Sequence, residues 1–328
     1  MTRIARCTTL VAVLLTGTAL WSQSNAAEAR KRILQNSNRL LGLLHAPKVP
    51  STKRLSNPSA VGTNPMAVAH IYQFATADYP GASVSETTGF SNGVAVGIFF
   101  YASGSPLQSY KFKGGVYSTY SVPGSLATAA FSINSLGQIV GEYVDNTSVV
   151  HGFVDTAGSV ADVDFPGADQ TVVTDINTAG DLVGIWIDAA SDSHGFIRLN
   201  GTFTSLDFPS STATQAAGIN TAGEVVGIYT DAASVQHGFI YKAGVYTRLD
   251  APLASSTTAF GVNDAGTISG SYMDASSVTH GFLYARGMFN VVDVPGAVGT
   301  QLTHISNKGP FAGYFSDQLT ELHGLTGR

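Results

Sequence analysis

From Ala67 onward the apolar residues fall in short runs separated by Gly, Pro, Asn, Asp and Ser, and no stretch shows the 3.6-residue recurrence of a helix. Residues 171–176 form a β-branched run. Asn177-Thr178-Ala179-Gly180 follows, with Asn first and Gly fourth, as a type I turn with a following left-handed residue prefers. Residues 182–188 make a second run, residues 194–198 a third after a polar loop, and residues 203–208 a fourth after a Gly-containing turn. The pattern therefore predicts four short antiparallel strands, with the first two joined as a hairpin. Gly184 interrupts the second strand. A strand glycine weakens its strand, so its counterparts at Gly97, Gly141, Gly227, Gly270 and Gly313 point to a bulge or a close approach between sheets.

These four strands recur. His-Gly-Phe stands at His151, His194, His237 and His280 and His-Gly-Leu at His323, each 43 residues after the last. Asp145, Asp188, Asp231, Asp274 and Asp317 each precede their histidine by six residues, and Pro80, Pro123, Pro166, Pro209, Pro252 and Pro295 keep the same interval. The chain contains six copies of one unit, and four strands in about 40 to 45 residues is the blade of a β-propeller. The expected fold is all-β, a six-bladed propeller of 43-residue repeats. Residues 323–328 leave the sixth unit without a fourth strand, while residues 71–79 read as a fourth strand with no third before it. Pairing these ends would close the ring and remove two exposed sheet edges. An open solenoid would leave the surplus strand without a purpose. The first unit departs from the others: its turn, Ser91-Asn92-Gly93, is one residue shorter, and Gln108-Ser109-Tyr110 replaces the histidine motif.

Composition adds a compartment and excludes one class of partner. Arg3 and Arg6 precede an apolar run over residues 7–20, and Ser24-Asn25-Ala26-Ala27 offers small residues for cleavage, so residues 1–26 read as an export signal too short to span a bilayer comfortably. Its removal takes away Cys7 and leaves no transmembrane segment and no disulfide. Residues 27–66 carry seven bases against Glu28 and are broken by Pro47, Pro50, Pro58 and Pro65, as suits a basic flexible linker. Residues 67–328, the propeller, hold 21 acids against 8 bases, which argues against nucleic acid as a partner. The expected location is secreted, periplasmic or on the cell envelope.

The candidate chemistry is sparse. Each Asp and His pair could meet across its hairpin, the carboxylate accepting from an imidazole N–H. One such pair could be a catalytic dyad, but the pairs Asp145/His151, Asp188/His194, Asp231/His237, Asp274/His280 and Asp317/His323 repeat like a building device. Two ligands per unit fall short of a metal site, so neither a metal nor a cofactor is expected. Phosphate loops, dinucleotide fingerprints and nucleophile elbows do not occur. An aromatic recurs at Phe99, Tyr143, Trp186, Tyr229, Tyr272 and Phe315, either stacking sugars or forming a layer between blades, the latter being preferred. A unique site must use positions where the units differ. Immediately before the Ile-Asn pair and its counterparts stand Ser132, Asp175, Gly218, Gly261 and His304. Asp175 of the third unit and His304 of the sixth should face each other across the channel, where the glycines leave room. There they hold a small ligand or are satisfied by neighbouring backbone.

Ile219-Asn220-Thr221-Ala222-Gly223-Glu224-Val225-Val226-Gly227 leading to His237-Gly238-Phe239 resembles the extracellular repeat family named for a His-Ala-Phe motif, the HAF repeats, with Gly replacing Ala. The resemblance covers about residues 79–325 and implies an exported bacterial protein, with no activity or catalytic residues attached. The function expected is a non-enzymatic binding or scaffold protein with a glycan or an envelope protein as partner. The alternatives are a multivalent lectin, or a lactonase or polysaccharide-cleaving enzyme with its site in the channel.

Overall fold

The computed structural model describes residues 72–101, 107–318 and 321–328, and every regular element among them is a β-strand. The export signal and basic linker read from the sequence lie outside the described residues. In the third unit the strands Gln170–Ile176, Leu182–Ile187, Ser193–Leu199 and Thr202–Leu206 pair antiparallel in chain order. The turns explain this meander. Gly180 takes φ 86° and donates its N–H to Asn177 O at 3.2 Å, while Asp188 Oδ1 accepts from Ala190 N at 2.9 Å and Asp192 N at 2.8 Å. Asn200 and Gly201, both at positive φ, make the two-residue turn whose twist suits a hairpin.

The first strands of the units are Val84–Ser91, Ala127–Ile133, Gln170–Ile176, Ala213–Ile219, Ser256–Val262 and Gly299–Ile305. Each touches the first strand of the next unit, and Gly299–Ile305 touches Val84–Ser91. This is a β-propeller arrangement of four-stranded blades with the first strands innermost. Flanked by sheets on both faces, the inner strands are buried almost throughout, whereas fourth strands such as Thr202–Leu206 are largely exposed. The core is accordingly divided among the contacts between sheets. Val183, Ile197 and Leu206 of the third unit pack with Ala216, Ile219 and Phe239 of the fourth, for example. The phenylalanine of each His-Gly-Phe (Phe153, Phe196, Phe239, Phe282) is fully buried there, as is Tyr110 in the first unit.

Phe74–Thr76 pairs antiparallel with Leu322–Gly327, with Phe74 opposite Gly327 and Thr76 opposite Leu325. The surplus amino-terminal strand thus lies where the sixth unit lacks one. Gln73 N donates to Arg328 O at 3.0 Å, Arg328 N to Gln73 O at 3.1 Å, and Ala77 N to Gly324 O at 2.8 Å.

Each inner strand carries a bulge. The register slips at Thr88, Phe131, Thr174, Ala217, Phe260 and Thr303, and opposite the slip stands the strand glycine anticipated from the sequence. A Cβ at Gly184 would overlap Val172 O. Of the two sequence explanations the bulge is the one seen; the close approach is to the adjacent strand of the same sheet rather than between sheets.

Candidate functional site

The five Asp and His pairs come together across their hairpins, but the aspartate read from the sequence is the histidine's second partner. His Nε2 lies 3.7, 3.7, 3.3, 3.6 and 3.7 Å from Asp145, Asp188, Asp231, Asp274 and Asp317. The closer carboxylate in each case stands on the far side of the ring. Nδ1 lies 2.8 Å from Asp164, 2.8 Å from Asp207, 3.1 Å from Asp250 and 2.8 Å from Asp293 for His151, His194, His237 and His280. His323 finds Asp78 at 2.8 Å across the terminal pairing. The preceding aspartates are occupied with backbone. Asp145, Asp188, Asp231 and Asp274 accept amide N–H groups of their own turns, which holds their carboxyls below the usual aspartate value. For His151 and His323, burial lowers the pKa, but the two flanking carboxylates outweigh it and the net shift is upward. The first unit has Gln108 for the histidine, and its Ser109 Oγ instead accepts from Ala130 N at 2.8 Å and donates to Thr128 O at 2.9 Å.

The recurring aromatics lie beside these histidines. Trp186 is sandwiched between Phe165 and His194, both with ring centroids at 4.4 Å, and Tyr229 stacks on Phe208 at 3.7 Å with His237 beyond. A ring covered on both faces cannot also receive a sugar. Trp186 and Tyr229 act as a packing layer.

The residues that differ between units meet at the mouth of the channel. Ser132, Asp175 and His304 stand one residue beyond the bulge, at the place held by Gly89, Gly218 and Gly261 in the other units. Asp175 and His304 line one cavity of about 380 Å³, together with the turns of the inner strands. Side chains at this level reach from one unit toward the next. Ser132 Oγ donates to Asp175 Oδ1 at 2.5 Å, Asp175 Oδ2 accepts Ile219 N at 2.8 Å, and His304 hydrogen-bonds the Phe90 backbone. Burial raises the pKa of Asp175 and lowers that of His304, pushing both toward their uncharged forms, and each is partly offset by the other's charge. The glycines serve a purpose other than the one anticipated. A Cβ at Gly218 would lie 2.6 Å from Phe260 O and 2.9 Å from Gly261 Cα, so they permit neighbouring strands to approach rather than leaving open space.

Around the mouth runs an asparagine ladder that sequence reasoning treated only as turn formers. Asn134, Asn177, Asn220 and Asn263 each donate through Nδ2 to a carbonyl of the next unit, at 3.0 to 3.3 Å. Asn92 Nδ2 donates to Ser135 O, and Lys308 Nζ donates to Asn92 Oδ1, both at 3.0 Å. The signal was the 43-residue interval itself, broken only at Ser306 and in the short first turn.

No protein-family model and no curated protein matches the chain. Among solved structures it is similar to the six-bladed β-propeller lectin of Aleuria aurantia (11% identity, TM-score 0.47, covering 77% of this chain and 93% of that one). It is also similar to virginiamycin B lyase from Staphylococcus aureus (8%, TM-score 0.44, 78% and 99%) and to AofleA from Arthrobotrys oligospora (12%, TM-score 0.45, 76% and 85%). At such identities ligand and chemistry must be argued from this chain's own residues.

Proposed function

We propose that the chain is an exported, closed six-bladed β-propeller of the HAF-repeat type that binds a small neutral polyhydroxylated ligand, such as a mono- or disaccharide, at the mouth of its channel. The carrying observation is the cavity of about 380 Å³ in which Asp175 and His304, which break the repeat, stand among turn residues bearing amides and hydroxyls, with Asp264 and Lys308 at its rim already hydrogen-bonded to neighbouring turns. That volume suits a small ligand. A floor whose acid and base are both driven toward neutrality favours hydroxyl groups, which donate and accept, over an ion. Closure is supported by the terminal strand pairing and by the unbroken succession of inner-strand contacts. A binding role without catalysis is supported by the recurrence of the histidine cluster in five units; the His237 cluster differs from the rest in its deeper burial and in the Arg248 that pairs with Asp250.

The test is calorimetric titration of the purified chain with a panel of neutral mono- and disaccharides. Binding is expected to weaken at least tenfold in Asp175→Asn and in His304→Ala and to persist in Asp231→Ala. Equal binding by the parent and both channel variants would remove the site from the mouth.

A further inference from the structure

A second, smaller chamber lies further along the inner strands, on the proline-turn side of the bulges. It encloses about 40 Å³, room for one or two particles the size of water. Its two sides differ. Units one and six contribute Glu86, Thr88, Gln301, Thr303 and Tyr314, whereas the other units contribute Phe131, Ala217 and Phe260 with the single hydroxyl of Thr174, which donates to Ala216 O. At the level of Glu86 the other units carry Ala129, Val172, Gln215, Thr258 and Gln301, so its carboxyl is the one ionisable group in that ring.

The chamber is rich in acceptors. Thr88 Oγ donates its proton to Ala130 O at 2.8 Å, and Thr303 Oγ donates to Thr87 O at 2.8 Å, so each hydroxyl keeps only lone pairs for the interior. Among the described residues, no lysine or arginine lines the space. The Glu86 carboxyl is half-buried where the inner strands converge on this small space, and one negative group there is matched by one positive group of similar size.

We propose that this chamber is a site for a compact monovalent cation, either an alkali ion or the ammonium head of a small amine, held by the Glu86 carboxylate together with the Thr88 and Thr303 hydroxyl oxygens. A proton competes for the same carboxylate. Burial pushes the pKa of Glu86 up to about 7, and its titratable neighbours Tyr110 and Tyr314 are pushed above the ordinary tyrosine value and stay protonated. Cation binding therefore strengthens as pH rises to about 7, and below that value each binding event releases a proton. The chamber is separate from the channel mouth, and its occupancy does not depend on a sugar binding there.

The full chain, exchanged into tetramethylammonium chloride, whose cation is too large for the chamber, is titrated at constant ionic strength with sodium, potassium, ammonium and methylammonium chlorides. The thermal midpoint and calorimetric heat are followed at pH 8 and pH 6. A saturable rise in midpoint is expected with a compact cation, with apparent affinity about tenfold weaker at pH 6 than at pH 8. Glu86→Gln should abolish the response while leaving saccharide binding at the mouth unchanged. Should Glu86→Gln fail to fold, Thr88→Val with Thr303→Val is expected to weaken the response at least fivefold. A response to sodium or potassium alone assigns an alkali ion, and one to ammonium or methylammonium alone assigns an amine. Identical effects of all five salts, or a response that survives Glu86→Gln or the double threonine variant, would overturn the proposal.

Discussion

Deleting residues 322–328 removes the strand to which the amino-terminal strand is hydrogen-bonded, and its cost follows from the burial and the hydrogen bonds that go with it. Leu325 is 0% exposed in a cluster with Val292, Leu302 and Phe311, and losing its burial costs about 2 kcal/mol. The hydrogen bonds Gln73 N to Arg328 O, Arg328 N to Gln73 O and Ala77 N to Gly324 O add about 1 kcal/mol each. The sum is about 5 kcal/mol before the pairing with Phe311–Ser316 is counted. At about 2 to 4 °C per kcal/mol for a body of this size, the melting temperature should fall by about 10 to 20 °C. Far-ultraviolet circular dichroism during heating measures it. A truncated chain that melts within about 2 °C of the parent would refute the reasoning, because the pairing of the terminal strands would then not contribute to stability.

Three further outcomes rest on the same packing and turn geometry. Gly218→Ala should destabilise by about 1 to 3 kcal/mol in denaturant unfolding, since its Cβ would meet backbone of the fifth unit. Asp250→Ala should cost about 1 kcal/mol by uncovering His237 Nδ1, and Asp231→Ala should lower the melting temperature because its turn amides go unpaired; saccharide binding should be unchanged in both. The turn aspartates, whose folded pKa values are depressed, stabilise the fold above the ordinary value of 3.8 and lose that contribution as pH falls through their folded values. His151 and His323, whose folded values are raised, contribute fully below 6.5 and lose it as pH rises through those values. The parent's advantage in melting temperature over His151→Gln with His323→Gln should therefore shrink as pH rises above 6.5.

The strands, their order and the place of the surplus amino-terminal segment were readable because turn chemistry and apolar runs recur at a fixed interval, so each unit confirms the others. The histidine's nearer partner was readable too, though by a different comparison. Asp78, Asp164, Asp207, Asp250 and Asp293 each stand two residues before a proline, and the unit lacking the histidine has Ser121 at that place. A search confined to neighbours within one hairpin favours the aspartate six residues back, while the fourth strand brings its own carboxylate closer. Which way Asp175 points was not readable, because a one-residue bulge decides whether the side chain faces the axis or the next unit. Glu86 gave no warning among many acids. Its setting depends on which inner residues from opposite ends of the chain share a level of the channel.

A site formed by the unlike residues of the channel mouth, rather than by the repeated aromatic clusters, takes one ligand per chain. Native mass spectrometry of the chain at saturating concentration of a saccharide that binds in calorimetry measures the number bound directly. One ligand per chain, absent from both Asp175→Asn and His304→Ala, is the predicted result. Several ligands per chain, retained in both variants, would contradict it and return the binding to the repeated units.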